Sequence, residues 1–187
     1  MTKVILSRKG FDKTFGGGPS PIVDGLTLVS LPIEYGGRET VRRFADLQFE
    51  GQNLGELVER LYRSKRNRND FCHLDPDLVR GSLPDRSADP KWRPLFGQAD
   101  SAARHLIMKH VGEGDIFLFF GLFRASDGWS RFRTGAPEMH VIHSWLQVDK
   151  VIHDPVGWAQ EKGNEWAMGH PHTYGHWWKH TNILFVG

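Results

Sequence analysis

A chain of 187 residues with a formal net charge of +2, 39% hydrophobic and 25% charged side chains, is long enough to bury one core without covalent staples and falls in the globular range. No run approaches the roughly 18 to 20 apolar residues of a membrane span, and the start MTKVILSRKG shows no cleavable-signal pattern. The single cysteine, Cys72, excludes an intrachain disulfide and a thiolate-rich zinc cluster, so one cytoplasmic domain over 1–187 with no membrane contact is expected.

Taken in chain order, residues Thr2 to Ser7 read as an opening strand closed by Arg8-Lys9-Gly10. Asp12 to Pro21, with Gly16-Gly17-Gly18 and Pro19-Ser20-Pro21, suit an irregular connection. Leu26 to Leu31 form a short strand, and residues 34–52 show no clean period. Asn53 as N-cap, Glu56 three residues on, and Leu54, Leu57, Val58, Leu61 and Tyr62 at helical spacing predict the most secure helix. Its end runs into Arg63, Lys65, Arg66 and Arg68, cations that complement the helix dipole or meet a phosphate backbone.

Residues 70–98, punctuated by Pro76, Pro84, Pro90 and Pro94, read as structured loop, too long to be idle in a compact domain. Asp100 or Ser101 caps a second helix through His110. Ile116 to Phe123, apolar on both faces, predicts a strand buried at the centre of a sheet. Asp127-Gly128 marks a turn, Arg131 to Arg133 a short strand, Val141 to Ile152 one long strand with Trp145 in the core, and Ile183 to Val186 a last strand. The fold class expected is α/β of the α+β type: a mixed, strongly aromatic sheet or partly open barrel with two main helices and long structured loops.

Several phrases in order along the chain carry a resemblance: ILSRKGFD at 5–12, PSPI at 19–22, HLDPDL at 73–78, FGQ at 96–98, GDIFLFFG at 114–121 and HVI at 140–142. Together they resemble the third of the nucleotide modification associated domain families over nearly the whole chain. That resemblance implies a nucleic-acid role in bacterial and phage systems that modify or process DNA bases, without fixing the reaction, and DNA, carrying modified bases, is the partner expected. It also implies further strands beyond Phe185-Val186-Gly187 in many members, so a shorter or truncated version is expected here. Gly114-Asp115 followed by an apolar strand, with a later strand crossing it, is also similar to PUA-like modules that bind modified bases.

Asp12 lies in a glycine-rich connection at a strand end, a place for a catalytic base or for a carboxylate that stabilises a sugar cation. A turn-forming Asp paired with a cation explains it equally simply. Asp75, within His73-Leu74-Asp75-Pro76-Asp77, is the second candidate acid, against an Asx turn. Arg8, Lys9, Ser20, Arg66, Arg68, His170 and His172 are candidates for the nucleic-acid backbone. Phe11, His73, Trp92, Phe96, Gln98 and Trp129 are candidates for a base pocket, since bases outside a duplex are read by stacking and edge hydrogen bonds.

Nine of the ten histidines fall in the second half, among them His140, His143, His153, His170, His172, His176 and His180, but His140 and His143 lie on opposite faces of a predicted strand, His170-Pro171-His172 lacks the helical pair of a zincin, and His176 and His180 share a face only if that stretch is helical. No metal and no other cofactor is therefore expected. The absence of a P-loop and of Gly-x-Ser-x-Gly disfavours an ATP-dependent kinase and an acyl hydrolase. Three activities remain: a DNA glycosylase that flips out and excises a modified base, a PUA-like reader without chemistry, and an enzyme that transfers a group within a DNA-modification pathway.

Overall fold

The chain opens with β1 (Val4–Arg8) and passes through the glycine-rich connection to β2 (Ser20–Val23), β3 (Thr27–Leu28) and β4 (Ile33–Glu34). A 3-10 turn at Phe44–Asp46 leads to β5 (Gln48–Phe49), β6 (Gln52–Asn53) and α1 (Leu54–Tyr62), and then to β7 (Cys72–His73). β8 (Leu95–Ala99), α2 (Asp100–Met108) and β9 (Ile116–Asp127) occupy the middle. β10 (Arg131–Phe132), β11 (Glu138–Gln147), β12 (Lys150–Ile152), α3 (Pro155–Gln160) and β13 (Asn182–Val186) complete it. The computed structural model describes residues 1–35, 42–63, 65–86, 89–174 and 181–187.

β9 is the centre of the main sheet, as its apolar run predicts. It pairs in parallel with β1, Val4 opposite Ile116 and Arg8 opposite Phe120, and further on with β2, Ser20 opposite Phe123. On its other edge it pairs antiparallel with β11 and β10. The alternation of a strand puts Phe117, Phe119 and Phe123 on one face, all buried. The opposite face is wet: Val4, Leu6, Ile142 and Trp145 are each more than half exposed. Trp145 therefore stands on the outer face and not in the core as expected.

A second, antiparallel sheet has the order β12-β13-β8. Phe96 on β8 and Phe185 on β13 meet Phe117 and Phe119 from β9, with Phe96 edge-on to both at centroid distances of 4.8 and 4.9 Å. Such contacts add about 0.5–1.5 kcal/mol each beyond area burial. The apolar stripe of α1 (Leu54, Leu57, Val58, Tyr62) packs on Phe11, Phe44 and Leu31 in a separate cluster. Asn53 caps α1 as predicted, its Oδ1 accepting the Glu56 N–H at 3.2 Å.

The expected α+β class with a mixed, strongly aromatic sheet is observed, and among the described residues no sheet closes into a barrel. Several narrower expectations are corrected. The predicted strand Val141 to Ile152 is two strands in two sheets: at Val148 and Asp149 the backbone leaves β9's partner register, Val148 N donating to Asp115 O and Asp149 N to Val186 O, both at 2.8 Å. β2 and β8 begin where loop was expected, and α3 lies in a stretch for which no element was predicted. α3 had a legible start in Asp154, which caps it through Gly157 N, followed by Pro155. α2 begins at Asp100 behind the uncapped Ala99 and ends at Met108, two residues before His110. Among the described residues, no helix is long and apolar enough to cross a membrane.

Candidate active site

The strand ends converge on one carboxylate. Ladder pairing carries on past β1, with Lys9 N donating to Phe120 O at 2.9 Å, and sends the Lys9 side chain off the sheet edge. There Nζ lies 4.5 Å from the Phe96 ring centroid and 2.7 Å from Asp75 Oδ2. Asp75 follows β7, which is held by pairing of His73 with Ile33; its peptide bond to Pro76 is cis. Asp75 Oδ1 accepts the Gly97 N–H of β8 at 2.6 Å. His170 Nε2 stands 3.4 Å from the same oxygen, a long and poorly aligned contact.

The 3-10 turn Pro171–Thr173 lays the His172 ring over β8. A Cβ at residue 97 would lie 2.1 Å from a His172 ring carbon, so glycine is required there for the histidine. Asn182 fixes this ring. Its Nδ2 donates to His172 O at 2.9 Å, which leaves Oδ1 as the acceptor facing His172 Nδ1 at 2.7 Å. Nδ1 therefore carries the proton and Nε2 the lone pair. The same logic applies to His170, whose Nδ1 accepts the His172 N–H at 3.2 Å, placing its proton on Nε2 toward Asp75.

These groups form the wall of a cleft of about 450 Å³ lined by Arg8, Lys9, Asp12, Phe15, Ile33, Tyr35, His73, Asp75, Gly97, Gln98 and His172 among others, a size typical of small-molecule sites, roughly 300–1,000 Å³. A larger groove of about 570 Å³ between Arg93, Trp145 and Gly187 has only Glu113 and the exposed Arg93–Asp149 ion pair as charged lining, with no such convergence.

Electrostatics in the cleft favour one charged carboxylate among neutral rings. Burial alone would raise the Asp75 carboxyl, but Lys9 and the facing histidines hold it well below the usual carboxylate range, so it stays ionised. Burial pushes His73 down to about 4 and His172 to about 3, against the favourable pull of Asp75. At neutral pH both imidazoles are uncharged. His73, Asp75 and His172 each offer a ligand atom, all within 4.8 Å of one another, a set able to hold a metal ion.

The structure thus gathers Arg8, Lys9, Asp12, His73, Asp75, Gln98 and His172, proposed from separate phrases, into one place. Asp12 is engaged in its own loop: it pairs with Arg8 Nη2 at 2.5 Å and accepts the Thr14 and Phe15 N–H groups. Asp75 is the better placed acid.

Other expectations are corrected. Phe11, Phe96 and Trp92 are core residues that cannot stack on a base, although the face of Phe96 contacts Lys9. Gly16, at φ +78°, sits where a Cβ would strike the Phe11 ring, which locks that aromatic under the loop. Trp129 packs half-buried on Phe49, away from the cleft. Ser20 is buried and accepts Leu31 N at 3.1 Å, and Arg66 is ion-paired with Glu34. Arg68 is half-buried beside Gly55. His170 and His172 are buried and cannot meet a phosphate. His176 and His180 lie outside the described residues.

Sequence reasoning missed Phe15, half exposed at the rim, and Tyr35, whose ring lies 5.2 Å from His73. Among the described residues that line the cleft, these two offer a phenyl or phenol ring to a ligand. It also missed the meeting of His73-Leu74-Asp75 with His172, because these segments, far apart in sequence, are brought together by the Asp77–Leu95 bridge to β8 and by the β8–β13 pairing. The family model described as nucleotide modification associated domain 3 matches residues 3–187. No curated protein and no solved structure matches the chain.

Proposed function

We propose that this chain, which belongs to the nucleotide modification associated domain 3 family, processes a modified base of DNA in the Asp75 cleft by cleaving its N-glycosidic bond. Membership links the chain to nucleotide modification, and the finer reading rests on the site. Its main support is a buried, ionised carboxylate in the cleft wall, oriented by Lys9 and Gly97 N–H. The base departs with the electron pair of the bond and takes up a proton, leaving positive charge on the sugar that a fixed carboxylate stabilises without reorganising, until water adds to the anomeric carbon and gives up a proton. A target base would leave the duplex, at a cost of a few kcal/mol that is smallest for a damaged or mismatched base. It would stack against Phe15 and Tyr35, with Gln98 offering both a donor and an acceptor to its edge. Arg8 at the rim supplies the charge for a flanking phosphate.

The test is incubation of the purified protein with single-stranded and duplex DNA carrying plain and hypermodified bases, followed by mass spectrometry for free base and by alkali for abasic sites. Release of one modified base supports the reading. Tight binding to one modified DNA with no release under any condition refutes the glycosylase and makes the protein a reader.

A further inference from the structure

We infer that His73, Asp75 and His172 form a two-histidine, one-carboxylate site for a divalent transition-metal ion. The inference rests on the reading of this cleft as the reaction site and adds a component to it. The three ligand atoms lie within 4.8 Å of one another and all three residues are buried. Two neutral nitrogens and one carboxylate are a donor set suited to zinc or to iron(II), cobalt(II) and their neighbours, and poorly suited to calcium or magnesium, which prefer oxygen.

Groups behind two of the three residues support the assignment independently of their spacing. Metal-bound histidines characteristically give their second ring N–H to a carbonyl, amide or carboxylate, which fixes the tautomer and aims the other nitrogen. Asn182 does this for His172 through a two-point contact that permits only one orientation. Asp75 is oriented from behind in the same manner by Gly97 N–H. The set also borders the cleft, and three protein ligands leave coordination positions open toward a substrate or water.

One feature opposes a cation. Lys9 Nζ, 2.7 Å from Asp75 Oδ2, places a positive charge where an arriving ion needs the carboxylate. The ammonium and the metal therefore compete, which yields a signature that a nonspecific histidine site would not show: Lys9→Met tightens metal binding by about tenfold or more, because one repulsive charge within a few ångströms is removed.

The experiment uses chelator-treated full-length protein titrated with cobalt(II), read by visible ligand-field absorption and by metal content after gel filtration, with zinc(II) as competitor. Expected are one cobalt per chain, displacement by zinc, about tenfold or more tighter uptake by Lys9→Met, and about 10- to 100-fold weaker uptake by Asn182→Ala. Circular dichroism confirms that each variant is folded, and the wild-type spectrum stands without any variant. No stoichiometric uptake by either wild type or folded Lys9→Met overturns the inference, as does uptake unaffected by both Lys9→Met and Asn182→Ala. Base release that persists in metal-free protein overturns the ion's place in the reaction while the glycosylase reading stands. Stoichiometric uptake without base release from any DNA supports the site and removes that reading instead.

Discussion

Replacing Lys9 by Met isolates the interaction on which the cleft is built. The Lys9 side chain is 16% exposed and that of Asp75 1%, with 2.7 Å between Nζ and Oδ2. This pair is buried, and removing one member of a buried pair strands the other charge, a change that costs about 3–5 kcal/mol. Gly97 N–H and the His170 contact remain on Asp75 Oδ1, so the lower end, about 3 kcal/mol, is expected. For a domain of this length about 3 kcal/mol corresponds to a fall in Tm of roughly 6–12 °C. Chemical denaturation of wild type, Lys9→Met, Asp75→Asn and the double variant, in chelator, closes a thermodynamic cycle. A coupling energy above about 1.5 kcal/mol is predicted, with the double variant more stable than the sum of the single losses allows. A Lys9→Met loss below about 0.5 kcal/mol, or strict additivity, refutes the claim that this pair holds the site.

Other consequences are measurable. The metal-free protein loses stability on acidification below pH 6.5: the unfolded imidazoles take protons near their ordinary value of 6.5, while folded His73 and His172 stay neutral until about pH 4 and about pH 3. Each contributes about 1.4 kcal/mol per pH unit across that window, and denaturation at pH 7, 6 and 5 should show the decline, with a flat profile above pH 7. Asp75, held below its ordinary value, adds its own loss only under more acidic conditions. Gly97→Ala forces a Cβ to within 2.1 Å of the His172 ring; expected are a loss above about 2 kcal/mol by denaturation and loss of base release. Trp145→Ala, on the exposed face, should cost less than about 1 kcal/mol, whereas Phe117→Ala in the core should cost about 3–5 kcal/mol. Tyr62→Phe removes the hydroxyl that donates to Pro19 O in a buried contact and should cost about 1–3 kcal/mol in the same assay.

Much of this was legible in the sequence where local rules decide. α1 follows from its cap and its 3.6-residue period, and β9 from an apolar run that could only be central. Legibility failed where tertiary context decides. Ile116 to Phe123 reads as apolar on both faces, but pairing with β1 and β11 supplies exposed Val4, Leu6, Ile142 and Trp145 on one of them. β8 was obscured because Phe96-Gly97-Gln98 is interrupted by a glycine whose reason, the His172 ring, comes from a distant turn. The cleft residues Lys9, His73, Asp75 and Gln98 each stood out through a polar phrase beside an ordered element. The aromatics beside those phrases misled, since Phe11 and Phe96 are large hydrophobic side chains and were claimed by the core. His170 and His172 looked like surface cations, and only the fold shows them buried around a carboxylate.

The central claim is that Asp75, and not Asp12, carries the chemistry of this cleft. Its most direct test compares base release from one responsive modified DNA by wild type, Asp75→Asn and Asp12→Asn, each shown to be folded by circular dichroism, in single-turnover mass spectrometry. The account predicts that Asp75→Asn slows release by at least about a hundredfold, while Asp12→Asn, which loosens only the Arg8 loop, retains it within about tenfold. Release by Asp75→Asn at the wild-type rate, or its loss in Asp12→Asn alone, would contradict the account.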